Sequence, residues 1–288
     1  MVVGITNYLN EDIENVNRQI EKLQEKVGED NLHVFLFHDS NYEISYHKYE
    51  SFKNFTFKTE NKNFGALYGR VQVINMIPDE FNNEFLIWID ADDDIFDIDE
   101  LLNLMDKYKE YDYVTPSMGI KCVWCKLVKI EAYKKAIKNI KLYPGLRMRL
   151  AECNILTAAL LDLCYSHKIS YVSIGHEYNG DWMCYSGWHQ SFDIRYNFDD
   201  ECRRDILKSN LEELAQWIIW REIDKPGFDL SVEGCDHVYQ ESIPKLKELD
   251  KVEDRDVINK INRLVTSIVK DMPDNYREVV ERELKLKF

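Results

Sequence analysis

The stretch Phe85-Leu-Ile-Trp-Ile-Asp-Ala-Asp-Asp-Asp94 limits this chain more than any other. Five apolar residues run straight into four acids spread over five positions. A short apolar run rich in β-branched and aromatic side chains reads as a buried strand, of the kind found in parallel sheets. Ligands of open α/β sheets bind just beyond the carboxyl ends of such strands. Carboxylates crowded at one strand end repel one another unless a cation lies between them, and a hard divalent ion carrying a phosphate satisfies that need. The plainer alternative is a polar strand end leading to a helix cap, with Asp97 and Asp99 just ahead of the next apolar pattern. An EF-hand is excluded, because its sixth position falls on Ile95 where glycine is required, and because a strand precedes the acids.

The residues around this run extend the α/β pattern. Val2–Thr6 reads as a strand that begins almost at Met1. A helix follows, with Ile13, Val16, Ile20, Leu23 and Val27 on one face and Gly28 at its C-terminus. Leu32–Phe37 is a second buried strand that ends in His38-Asp39-Ser40, and Phe55–Thr59 a third. Asn61-Lys-Asn-Phe-Gly65 turns into a helix that Pro78 stops after Ile77. The first hundred residues therefore alternate strands and helices, with polar residues at the strand ends, as in a nucleotide-binding α/β half. Neither GxGxxG nor GxxxxGK[ST] follows any strand, so the dinucleotide fingerprint and the P-loop are excluded.

Further on, Ile98–Tyr108 is an amphipathic helix with Ile98, Leu101, Leu102, Met105 and Tyr108 facing inward. Tyr113–Thr115, Lys121–Ile130 and Tyr171–Ile174 read as strands, and Glu131–Asn139 and Ala151–Ser166 as helices. The segment from His176 to Phe192 is dense in His, Trp, Tyr and Gly and has no periodicity. From about Asp199 the pattern is helical: Glu201–Ile223, Asp254–Lys270, and a last charged helix opened by Pro273-Asp274. The expected organisation is an α/β domain over 1–198, divided at 97/98, with a helical appendage over 199–288 that packs on it or mediates homo-oligomer formation.

Charge and cysteine content narrow the class. Against 37 basic residues stand 52 acids, a net charge of −15 over 288 residues. That argues against nucleic acid or an anionic membrane surface as partner, since basic patches supply affinity for both. The amino terminus has no basic stretch followed by an apolar core, and no run reaches the length of a membrane span. Seven scattered cysteines form a single CxxC, Cys122/Cys125, inside an apolar strand-like run, where reduced buried thiols are the expected state. These features point to a cytoplasmic protein.

Four elements in order carry a resemblance: Thr6-Asn7, Asp39-Ser40, Asn63-x-Gly65 with Arg70, and Asp90-Ala91-Asp92-Asp93. The series resembles the GT-A fold glycosyltransferases of family 2, with their T-x-N-like first strand end, D-D-G-S second strand end, N-x-G-x-x-x-x-R helix entry and D-A-D-D metal motif. Val123-Trp-Cys-Lys-Leu-Val resembles the W-x-K-L strand of that family, and Glu152-Cys-Asn its E-D-N acceptor-side motif. The resemblance covers roughly residues 1–190. It implies a mixed sheet flanked by helices, a nucleotide-diphosphate sugar as donor with UDP-sugars favoured, and bound Mn²⁺ or Mg²⁺.

Residue by residue, the resemblance implies Asp92 as principal metal ligand, with Asp90 on the ribose or on the metal through water. His189, or alternatively His176, would complete the metal shell. Thr6, Asn63 and Gly65 would line the donor site, and Asp39 would face the nucleobase or ribose, with His38 in place of the first aspartate of the pair. For Arg70 three roles stand open: donor binding, holding the loop by pairing with an aspartate, or a plain surface ion pair. Inversion needs a base for the acceptor proton. Cys153 stands where the family has its aspartate, which leaves Glu152 or Asp181 for that role. Trp182, Tyr185 and Trp188 fall in the acceptor loop, where aromatic faces suit sugar rings. The acceptor would be a glycan, a lipid-linked sugar or another hydroxyl compound. The competing readings are a catalytically silent nucleotide- or glycan-binding relative and a sugar-nucleotide pyrophosphorylase. The latter lacks its basic glycine-rich loop, since Thr6-Asn-Tyr-Leu-Asn-Glu-Asp12 is acidic.

Overall fold

The computed structural model describes residues 1–7, 13–39, 52–60, 65–90, 94–95, 97–115, 126–140, 152–174, 183–184 and 255–287, with short helical pieces between 207 and 247. Two compact units emerge: one of Met1–Lys141 with Glu152–Trp188, the other of Leu142–Ala151 with His189–Phe288.

The first unit is built on a seven-stranded mixed sheet flanked by helices. In chain order its elements are β1 (Val2–Asn7), α1 (Ile13–Val27), β2 (His33–Asp39), β3 (Phe55–Glu60), α2 (Ala66–Met76), β4 (Phe85–Asp90), β5 (Asp94–Ile95), α3 (Ile98–Lys107), β6 (Tyr113–Thr115), β7 (Leu127–Lys129), α4 (Ile130–Ile137), α5 (Glu152–Tyr165), β8 (Tyr171–Ser173) and β9 (Met183–Cys184). The sheet order is β3-β2-β1-β4-β7-β6-β8. Strands β1 to β4 are mutually parallel. β7 runs antiparallel to both β4 and β6, and β8 pairs parallel with β6. A separate antiparallel ladder joins β5 to β9.

Alternation along the strands divides the core into two layers. Val3, Ile5, Val34, Leu36, Phe85, Ile87 and Ile89 pack with Val16, Ile20 and Leu23 of α1 and Ile98 and Leu101 of α3. The other face carries Gly4, Thr6, Phe37 and Trp88, against which α2 lies. Gly4 is required there: a Cβ would come within 2.9 Å of both Trp88 Cζ3 and Val73 Cγ1. The α1 stripe ends at Gly28, whose positive φ of 82° closes the helix through a bond from its N–H to Gln24 O. Asp97 caps α3, its Oδ1 accepting from Glu100 N at 2.8 Å.

One strand departs from expectation. The apolar run Lys121–Ile130 yields β7 only at Leu127–Lys129, and Ile130 already belongs to α4; residues 121–125 lie outside the described ones. The run stays apolar beyond the strand because Ile130, Ala132, Tyr133 and Ala136 are the buried face of α4. Its first amides, Ile130 and Glu131, donate to Glu84 O and Asn82 O, which starts the helix without a spacer.

The second unit is helical. Leu207, Leu211, Leu214, Ala215, Ile218 and Ile219 recur at helical spacing and pack with Ile258, Ile261, Val265 and Ile268 of α6 (Arg255–Val269), and with Val280 and Leu284 of α7 (Asp274–Leu284). Asn262 brackets Leu286, donating to its carbonyl at 3.2 Å and accepting from its amide at 2.9 Å. No helix among the described residues is long and apolar enough to cross a membrane.

Candidate active site

The chain changes direction across the sheet between β1 and β4. β2 and β3 lie on one side of β1 and β4 lies on the other, which makes the carboxyl ends of β1 and β4 a topological switch point. The opening motif sits there. Thr6 and Asp90 are register partners, Asn7 pairs with His38, and Asp39 pairs with Glu60 on β3. Residues expected from three distant stretches of chain, Thr6, Asp39 and Asp90, are thus the last or next-to-last residues of three adjacent parallel strands. Asp39 and Asp90 are described by their backbone alone.

Helix α2 enters over these strand ends. Gly65 precedes it with φ 90° and ψ 166°, a conformation that favours glycine. A Cβ on Gly69 would stand 3.1 Å from Thr6 Cγ2 and 3.5 Å from Phe37 Cδ1, so the first turn lies close over β1 and β2. Tyr68 of that turn donates to Glu60 Oε1 at 2.8 Å and meets the Phe37 ring edge-on at 5.9 Å. Lys58 stands over the opposite part of this corner, donating to Gln72 Oε1 at 3.1 Å.

Arg70 is fully buried, with its guanidinium 4.8 Å over the Trp88 ring. Trp88 is two residues before Asp90 on the same sheet face. The surface-ion-pair reading of Arg70 is therefore ruled out. Two small residues make this burial possible: Gly4 leaves room for the indole, and Gly69 lets the helix descend. A guanidinium on an aromatic face in a dry setting gains cation–π attraction.

His38 was legible in sequence only as a substitution, and the structure adds its environment. Its side chain is fully buried on the α1/α3 face, and neither ring nitrogen meets a hydrogen-bond partner among the described residues. Burial pushes its pKa down to about 4, so the imidazole is neutral at neutral pH.

The acceptor-side residues are described less fully. Glu152 is the first residue of α5, and its side chain lies outside the description. α5 packs on α2 and α4, which brings the helix headed by Glu152 beside the one that overlies the strand ends. Asn63, Asp92, Asp93, His176, Asp181, Trp182, Tyr185, Trp188 and His189 lie outside the described residues. The β5–β9 ladder pairs Asp94 with Cys184 and Ile95 with Met183.

Among the described residues no three His, Cys, Asp or Glu side chains form a group that would hold a metal ion. One charge was named in the sequence only as the lysine of the W-x-K-L run, and the structure adds that it is buried: Lys126, whose Nζ donates to Thr157 Oγ1 at 3.0 Å. Its signal was a lone lysine inside the apolar run Cys122–Val128.

No family model matches the chain, and no curated protein does. Among solved structures, S. aureus TarS 1-349 in complex with UDP-GlcNAc is similar over 97% of this chain and 90% of that one, at 14% identity and a TM-score of 0.46. The mannosyltransferase PcManGT from Pyrobaculum calidifontis, in complex with GDP-Man and Mn2+, is similar over 99% of this chain and 84% of that one, at 11% identity and a TM-score of 0.46.

Proposed function

We propose that the chain is a metal-dependent, inverting glycosyltransferase that moves a sugar from a nucleotide-diphosphate donor, UDP-sugars favoured, to an acceptor hydroxyl. The observation that carries this reading is the Thr6–Asp90 register at the switch point, with Asp39 one strand away and Asp92-Asp93 following Asp90 in the chain. That edge is where an open α/β sheet binds its ligand, and its chemistry is anionic. The donor set Asp90 and Asp92 offers hard oxygen ligands, which suits Mg²⁺ or Mn²⁺ and diphosphate oxygens, and His189 is the further candidate ligand. A divalent ion held there would act as a Lewis acid on the leaving diphosphate.

The chain's own residues supply the remaining parts. Thr6 and Asp39 line the donor edge for hydrogen bonds to the nucleoside. The amino end of α2, entered through Gly65 and preceded in the chain by Asn63, is a positive helix end, which favours an anion. Arg70, stacked beneath the end of β4, adds positive charge and braces the strand that leads into the acids. Trp182, Tyr185 and Trp188 serve as the sugar-facing aromatics. Glu152 or Asp181 removes the acceptor proton, and 1–198 is the catalytic region with 199–288 as its helical appendage and candidate self-association element.

Titration calorimetry with UDP and with GDP, each with and without Mn²⁺, tests the donor site. The expected result is metal-dependent binding of one nucleotide, lost on Asp92→Ala by a factor of about 100 or more, equivalent to roughly 2.7 kcal/mol. Binding that is absent, or indifferent to Mn²⁺ and to Asp92→Ala, would sink the proposal. Glu152→Gln is expected to keep nucleotide binding and stop transfer; an active variant moves the base to Asp181.

A further inference from the structure

Lys126 is the one lysine fully buried among the described residues, at 2% exposure. It precedes β7, the strand that pairs with both β4 and β6. Its ammonium donates to Thr157 Oγ1 at 3.0 Å and stands 6.0 Å from the Tyr113 ring centroid on β6. Thr157 is itself fully buried, five residues after Glu152 opens α5. A single ammonium therefore links the middle of the sheet to the first two turns of the helix that carries the candidate base.

A buried ammonium is a poor way to obtain stability, since an apolar side chain of the same volume fills the space without the desolvation penalty. What it provides is a single polar anchor: the bond to the buried Thr157 hydroxyl, at 3.0 Å, is lost if the helix turns or slides away, whereas methyl packing has no one partner to lose. The early turns of α5 need such a constraint. The buried face of the helix, Leu156, Ala158, Ala159, Leu160 and Leu161, is apolar nearly all the way round, so packing alone leaves its rotation about its own axis weakly determined. A small rotation there swings the first residue of the helix by ångströms, and misplacement of a catalytic group by about 1 Å costs on the order of a hundredfold in rate.

Resting on the glycosyl-transfer reading above, we infer that Lys126 is a positioning residue: through Thr157 it fixes the early turns of α5 and thereby the placement of Glu152, the first residue of that helix.

The test is release of sugar to water from UDP-glucose, UDP-N-acetylglucosamine and GDP-mannose with Mn²⁺, using the full chain and the nucleotide that calorimetry selects. Lys126→Met is expected to lower kcat at least tenfold, with donor KM and nucleotide-binding stoichiometry within twofold of the unaltered chain. Thr157→Val, which keeps the shape and loses the acceptor oxygen, is expected to lower kcat in the same way. Thr157→Ser, which keeps the oxygen, is expected to stay within twofold. Unchanged kcat in Lys126→Met and Thr157→Val overturns the role. So does a fall of kcat in step with binding stoichiometry across all three variants, which would mean that the contact only holds the fold together. Failure of the unaltered chain to release sugar sinks the transfer reading itself and this role with it; a fully active Lys126→Met sinks the role alone.

Discussion

The two halves of the sheet are held together by different means. Strands β1 to β4 contain six, seven, six and six residues, run parallel, and sit between an α1/α3 layer and α2 in a largely apolar core in which His38 and Arg70 are among the buried exceptions. Strands β6, β7 and β8 have three residues each and alternate in direction. Three-residue strands bury too little to hold a register by apolar contact alone, and polar stitches do part of that work. Asp112, just before β6, accepts from Ser170 N and Oγ, both at 2.9 Å, and faces Lys129 Nζ at 3.5 Å. Lys126 ties β7 to α5. The half proposed to bind the donor is thus a rigid apolar slab with polar ends, and the half proposed to present the acceptor is assembled from directional bonds. Mutations that create cavities should damage the first most, and mutations that remove hydrogen bonds the second.

The largest expected effect lies in the slab. Trp88 is buried between Gly4, Arg70 and Tyr133, whose ring meets it edge-on at 5.9 Å. Trp88→Ala leaves a hole that no neighbour can fill, because Gly4 has no side chain to move in and Arg70 loses its aromatic floor. The expected loss is about 3–5 kcal/mol in urea unfolding, the usual cost of removing a large buried aromatic. A loss below about 1 kcal/mol would mean that the slab is not the stable half.

This contrast also explains what could be read from the sequence. The long strands announced themselves, since six apolar or alternating positions outweigh any competing pattern, and the ends of α1 and α3 were marked by Gly28 and Asp97. The grouping of Thr6, Asp39 and Asp90 was implied by the family resemblance, together with their places at predicted strand ends. β7 was misjudged in length because the apolar run passes from strand to helix without a break, so burial continued after the geometry changed. Arg70 was ambiguous because a guanidinium is buried only where its neighbours make room, and the two residues that do so, Gly4 and Gly69, reveal their purpose only when the helix is laid on the sheet. Lys126 was quoted as part of a motif, but its burial was not foreseen for a related reason: its partner Thr157 is 31 residues away and carries no charge to suggest a pair.

The second effect separates the slab's interior from its edge. His38 is buried and neutral in the folded chain, with a pKa of about 4 against an ordinary 6.5. The unfolded chain therefore binds the extra proton between those values, and stability rises with pH through that window. It is fully present above pH 6.5 and is lost as pH falls toward 4, by an amount on the order of 3 kcal/mol for a shift of this size. Urea midpoints measured from pH 7.5 to 4.5 should fall steadily, and His38→Asn should flatten that fall. A wild-type profile flat over this range would show that the ring is hydrated and that the slab is open at its edge.

The smallest effect belongs to the stitched half, and it is the one that most directly contrasts the two constructions. Asp112→Ala removes the acceptor of two Ser170 bonds and the partner of Lys129, all at the junction of three short strands. The carboxylate is about a third exposed, so the expected loss lies toward the lower end for bonds to a charged group, about 1–2 kcal/mol. Its own pKa carries the same information with a sign. Partial burial pushes the carboxyl upward, but the Ser170 amide and hydroxyl and the Lys129 ammonium outweigh it and hold the pKa below the ordinary 3.8. A folded-state pKa that is depressed contributes stability above the ordinary value and loses it as pH falls through the folded one. Wild-type stability should therefore carry a second decline, beginning near pH 4 and continuing below it, that Asp112→Ala lacks. The matched control is Lys26→Ala in the slab half: the Lys26–Asp99 pair joins α1 to α3 at 2.6 Å, but both side chains are exposed. Removing it should shift the urea midpoint by less than about 0.5 kcal/mol. If Lys26→Ala costs as much as Asp112→Ala, charge holds both halves alike and the division between an apolar slab and a stitched edge fails.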